Sequence, residues 1–121
     1  MTRALLTAAA ALALLGACAT TAQTPATCDV TLKFGSYGMG VDRPLAQAVD
    51  ARTKADRDLA HVARKPWGRE GEYDLCLSAR SGRSARAIYE RYRAMLPAKG
   101  LAAPTSITGP DGLMYETSAP M

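Results

Sequence analysis

A chain of 121 residues with 15 Lys and Arg against 11 Asp and Glu, formal net charge +4, has room for one modest domain. Such mild basicity demands no nucleic-acid partner, and at 6% aromatic residues there is no interleaved aromatic and basic platform on which bases could stack. Three cysteines and a single histidine supply neither a complete metal shell nor a cofactor motif.

The chain begins with a positive segment, Met1–Arg3, followed by a largely apolar run from Ala4 to Leu15 and the small pair Gly16-Ala17. That run is too short for a permanent membrane span, which needs roughly 20 residues, and has the make-up of an export signal. Leu15-Gly16-Ala17-Cys18 resembles the lipobox of bacterial lipoprotein precursors. The resemblance covers residues 1–18 and implies a signal peptide over 1–17, cleavage before Cys18 and lipidation of its thiol, with a palmitate-type acyl anchor in the membrane. Ala19 is not the Asp that commonly retains such proteins in the inner membrane, so the resemblance implies the outer membrane, with the domain facing the periplasm. An alternative stays open, because Ala17-Cys18-Ala19 also satisfies the small-x-small rule and cleavage after Ala19 would release a soluble periplasmic protein.

Residues 18–27 hold only Ala, Thr, Gln and Pro after the cysteine and read as a flexible tether to a single domain over 28–121. If Cys18 is consumed by lipid, Cys28 and Cys76 remain as an even pair in an oxidising compartment, and a disulfide bond between them is expected. Thiol chemistry is the weaker idea, since the two do not form a C-x-x-C pair.

Cys28–Phe34 alternates apolar and polar residues, predicting a strand that buries Val30, Leu32 and Phe34. After the glycine-rich Gly35–Gly40, Asp42 is an N-cap and Pro44 fits the first turn of a helix with Leu45, Ala48, Val49 and Ala55 inside. Leu59–Lys65 suggests a second strand, and the punctuation Pro66–Gly71 leads into a third, Glu72–Ala79, with Tyr73, Leu75, Leu77 and Ala79 on one face and Asp74, Cys76 and Ser78 on the other. Ser81 or Ser84 caps a second helix with Ala85, Ile88, Tyr92, Met95 and Leu96 inside, stopped by Pro97. Ser106–Thr108 and Leu113–Thr117 form a terminal hairpin around Gly109–Gly112.

This order predicts an α+β fold, a small two-layer sandwich with the split β-α-β, ferredoxin-like arrangement and a C-terminal hairpin. The first and third strands are neighbours in that topology, which would bring the two cysteines together. Strict alternation sets them on opposite faces, so Cys28 has to sit before the regular pleat or at a bulge.

Several constellations invite a chemical role. Gly35–Gly40 lies where phosphate loops occur, but its G-x-x-G-x-G spacing is wrong and no Lys-Ser/Thr follows; its Tyr37 and Met39 are instead candidates for a binding edge. Trp67, beside Lys65 and Arg69, can stack on a sugar or partner surface, or fold back over the core and lock its turn. Arg83 and Arg86, at the start of the second helix, complete the candidate surface of Tyr37, Met39, Trp67, Arg69, Arg83 and Arg86, although Arg86 with Glu90 is an ordinary i,i+4 pair. His61 stands alone, without a nucleophile motif, and Glu70 and Glu72 share one turn rather than facing each other across a cleft. No catalytic residue is assigned. The sequence thus reads as a non-enzymatic binding or scaffolding lipoprotein whose partner is an envelope protein, peptidoglycan or anionic lipid; the alternative is a small envelope hydrolase or glycan-processing enzyme.

Overall fold

The alternating segment after Cys28 forms β1 (Val30–Phe34), whose Val30, Leu32 and Phe34 are buried. The computed structural model describes residues 27–99 and 102–119; the signal, Cys18 and most of the tether lie outside them. Along the chain follow α1 (Arg43–Ala55), β2 (Leu59–Pro66), β3 (Tyr73–Ala79), α2 (Ala85–Arg93), β4 (Thr105–Thr108) and β5 (Met114–Glu116). The strands lie in the order β2-β3-β1-β4-β5, and all neighbours are antiparallel. This is the expected split β-α-β order, extended at one edge by the terminal hairpin.

The register assigns every strand residue to a face. Val30, Leu32 and Phe34 stand opposite Leu77, Leu75 and Tyr73, and Leu32 opposite Ile107 on the other side. These residues form one core with Val49 of α1 and Ile88, Tyr89 and Tyr92 of α2, so both helices cover the same face. The other face carries Thr31, Lys33, Asp74, Cys76, Ser106 and Glu116 and has no layer over it among the described residues. A two-layer sandwich results, polar on its open side as an antiparallel sheet with one wet face should be.

Both helices start where the sequence marks them. The Asp42 carboxylate accepts from the Leu45 N–H at 3.3 Å, and the Ser84 hydroxyl, not that of Ser81, accepts from the Ala87 N–H at 3.1 Å. The inner side of α1 differs from the expected one: Val49 and Thr53 are buried with Leu45 and Ala46 packed beside them, whereas Ala48 and Ala55 are exposed. Alanine is too small to mark a face, and Thr53 goes inside because its hydroxyl donates to the Asp50 carbonyl at 2.8 Å. In α2, Tyr89 joins the core, and the close approach of its ring leaves Gly109 no room for a Cβ, which would sit 2.6 Å from a ring carbon.

Cys28 and Cys76 are joined by a disulfide, with Cα atoms 5.2 Å apart. The conflict of faces is resolved before the pleat begins. At Asp29 the chain bends: its N–H donates to the Leu77 carbonyl at 3.0 Å, and its carboxylate accepts from the Ala79 N–H at 2.7 Å. The Ser78 hydroxyl donates to the Thr27 carbonyl at 2.7 Å, so the segment leading into the domain is fastened to the end of β3. Closing a loop of 48 residue steps is worth roughly 4 kcal/mol in the chain-entropy account. The Cys28→Ser/Cys76→Ser pair is therefore expected to lose about 2–4 kcal/mol in urea unfolding followed by Trp67 fluorescence, and reductant is expected to cause the same loss in the native chain and none in the variant.

Candidate functional site

Strand direction divides the surface into two ends. β1 and β2 run away from the point where the chain enters at Thr27, and β3 returns to it. The near end therefore gathers Thr27–Asp29, the turn Asp56–Asp58 and the segment Arg80–Ser84. The far end gathers Gly35–Gly40, the β2–β3 turn and the close of β5.

At the far end, the Ser36 hydroxyl accepts from the N–H groups of Gly38 and Gly40 at 2.8 and 3.0 Å. Those donors are thus spent inside the loop rather than offered to a phosphate. Tyr37 and Met39 project outward, Met39 at 95% exposure. The neighbouring turn is rigid. Glu72 is buried, its carboxylate accepting from the Glu70 N–H at 2.7 Å and its carbonyl from the Trp67 N–H at 2.9 Å. Gly68, at φ 71°, is required because a Cβ there would strike that same carboxylate. Glu72 is thus a turn cap and does not form an acid pair with Glu70.

Trp67 does not fold over the core. Its indole N–H donates to Asp74 at 2.8 Å, laying the ring on the open face of the sheet with the Lys33 ammonium 5.5 Å from its centre. It remains 39% exposed and walls a groove of about 160 Å³ with Lys33, Ser36, Ser106 and Glu116. Arg69 is exposed in the turn beside it. On the helix side, Arg64 lies 3.7 Å over the Tyr73 ring; burial raises the Tyr73 hydroxyl pKa, and Arg64 opposes that rise.

The near end is built on a charge network. Arg91 donates to Asp56 at 2.7 Å and to Asp58 at 2.8 Å, the Tyr92 hydroxyl donates to Asp56 at 2.8 Å, and Arg83 pairs with Asp58 at 3.3 Å. Burial acts to raise the Asp56 pKa, but the Tyr92 hydroxyl, the Asp58 N–H and Arg91 outweigh it and hold the carboxyl below its usual range. Burial and the same Asp56 contact push the Tyr92 hydroxyl well up, so it stays a donor. Lys54, Arg57, His61 and Arg80, together with the Arg91-paired Asp56, line a shallow cleft of about 620 Å³ beside the point of chain entrance.

Of the six candidate surface residues, then, Tyr37, Met39, Trp67 and Arg69 lie at the far end, in the Gly35–Gly40 loop and the β2–β3 turn. Arg83 and Arg86 lie at the other, in ion pairs with Asp58 and Glu90. Arg57 and the Asp56–Arg91 contact went unnoticed in the sequence, where only the short Asp-Arg-Asp turn hints at them. His61 and Glu70 are separated by most of β2, about 17 Å at strand spacing, too far to act on one bond. Among the described residues, no three His, Cys, Asp or Glu side chains converge as metal ligands, and no helix is long and apolar enough to cross a membrane.

Asp56, whose side chain is 3% exposed, contributes stability that is complete above its unfolded pKa near 4 and is lost as pH falls through the lower folded value. Native protein is thus expected to lose more stability between pH 5 and pH 3 than the Asp56→Asn variant, read as urea midpoints at each pH. Arg91→Ala is expected to cost about 2–3 kcal/mol at pH 7, because it leaves Asp56 buried without its cation. The chain matches no family model, no curated protein and no solved structure, which leaves the chemistry of its two ends to speak for its role.

Proposed function

We propose that this chain is a non-enzymatic cell-envelope lipoprotein, held on the membrane through acylated Cys18 and acting as a binding or scaffolding module. The observation that carries this is the separation of ends: the chain enters beside Ser78, while Tyr37, Met39, Trp67 and Arg69 lie at the opposite end of the sheet. A domain tethered at one end presents its other end to whatever lies beyond the membrane surface. Outward aromatic and thioether side chains on a braced turn and loop suit protein or peptidoglycan contact, since such groups bury large area with little rotamer loss. The Cys28–Cys76 disulfide is in keeping with an oxidising compartment such as the periplasm.

Intact mass of the protein extracted from its native membrane tests the anchor. A chain starting at diacylglyceryl-Cys18 is expected; an unlipidated chain starting after Ala19 overturns it. For the binding end, Tyr37→Ser/Met39→Ser is expected to lower retention of envelope components on the immobilised chain at least tenfold. Both side chains are exposed, so stability should hold within about 0.5 kcal/mol. Unchanged retention would remove the far end from the proposal.

A further inference from the structure

We infer that the near end is a lipid-docking surface: Arg57 and Arg80 rest on the anionic phospholipid headgroups of the membrane that holds the acyl chain, and the domain stands upright with Trp67 pointing away. The inference rests on the acyl anchor proposed above for its setting, and on the following geometry for its substance.

Arg57 and Arg80 come from different loops but are fixed together, since the Arg80 N–H donates to the Asp58 carbonyl at 2.7 Å. Both are exposed, and neither has an ion-pair partner among the described residues. Three of the four acids at this end have a cation of their own, Asp56 and Asp58 in Arg91 and Arg83 and Asp50 in Lys54, while Asp29 accepts the Ala79 N–H and keeps its charge, leaving the arginines in excess. The last turn of α1 adds Arg52 to the same end.

This cationic surface lies where the chain must approach the bilayer. A second cleft, lined by Thr27, Asp29, Ala60, His61, Ser78 and Ala79, adjoins the basic one through Ala60 and His61 and so carries the point of chain entrance to its edge. Only nine residues separate Cys18 from Cys28, a span of at most about 35 Å when fully extended, so the near end stays in the neighbourhood of the leaflet. Eight-residue β2 places Trp67 roughly 26 Å further out, beyond a Debye length of about 8 Å. Val62 is the only large apolar side chain exposed along β2 before Trp67, so the contact is electrostatic and peripheral rather than inserted.

Each cation near an anionic leaflet is worth up to roughly fivefold in partitioning. The test uses the mature-length chain with Cys18→Ser, which carries no acyl group, sedimented with phosphatidylcholine vesicles with or without phosphatidylglycerol. Binding is expected only with phosphatidylglycerol, and it should vanish in strong salt. Arg57→Gln/Arg80→Gln should weaken it roughly tenfold with unchanged melting, while Arg43→Gln/Lys65→Gln, exposed elsewhere and removing the same charge, should leave it intact. Equal binding to neutral vesicles, no binding to either, or equal loss in both variants would each overturn the docking surface. Because no acyl group is present, these outcomes are independent of the mass measurement that decides the anchor.

Discussion

The antiparallel pairing of β1 with β3 is the constraint on which the rest depends. It sets Leu32 against Leu75 and Val30 against Leu77 at the centre of the core, and by the same register puts Lys33 beside Asp74 on the open face. It also brings the segment before β1 against the return of β3, where the Cys28–Cys76 bond and the Asp29 and Ser78 contacts hold it. Without this pairing there would be neither a covered face nor two distinguishable ends.

Much of this was legible because strands and caps write themselves locally. Alternation in Val30–Phe34 and Tyr73–Ala79, the caps Asp42 and Ser84, and the turn glycines sufficed for the element order, and the order sufficed for the topology. The inner side of α1 was not legible, because its alanines pack equally well on any side and Thr53 meets its polar need within its own helix. Tyr89 enters the core against a glycine 20 residues along, a relation that no periodicity within α2 encodes.

The candidate site was legible in its members and not in its grouping. Which face Trp67 occupies is settled by a hydrogen bond to Asp74 across the hairpin, and nothing in the tryptophan's neighbours says so. Arg83 and Arg86 look like companions of the aromatic residues in composition, but α2 starts at the near end and the glycine-rich loop lies at the far one. The Asp56–Arg91 pair spans 35 positions and became visible only once α2 lay across the turn before β2.

The near-end network also explains how a mildly basic chain presents a cationic surface. Arg91 is spent on neutralising Asp56 and Asp58 while Tyr92 holds the same carboxylate, so acids that would otherwise cancel Arg57 and Arg80 are turned inward as structure. A buried pair of this kind contributes little net stability compared with apolar packing. Its effect is geometric: it locks the α1–β2 turn against α2 and leaves the outward arginines uncompensated. Charge and position thus arise from one arrangement, and the aromatic end is held away from that charge by the length of the strands between them.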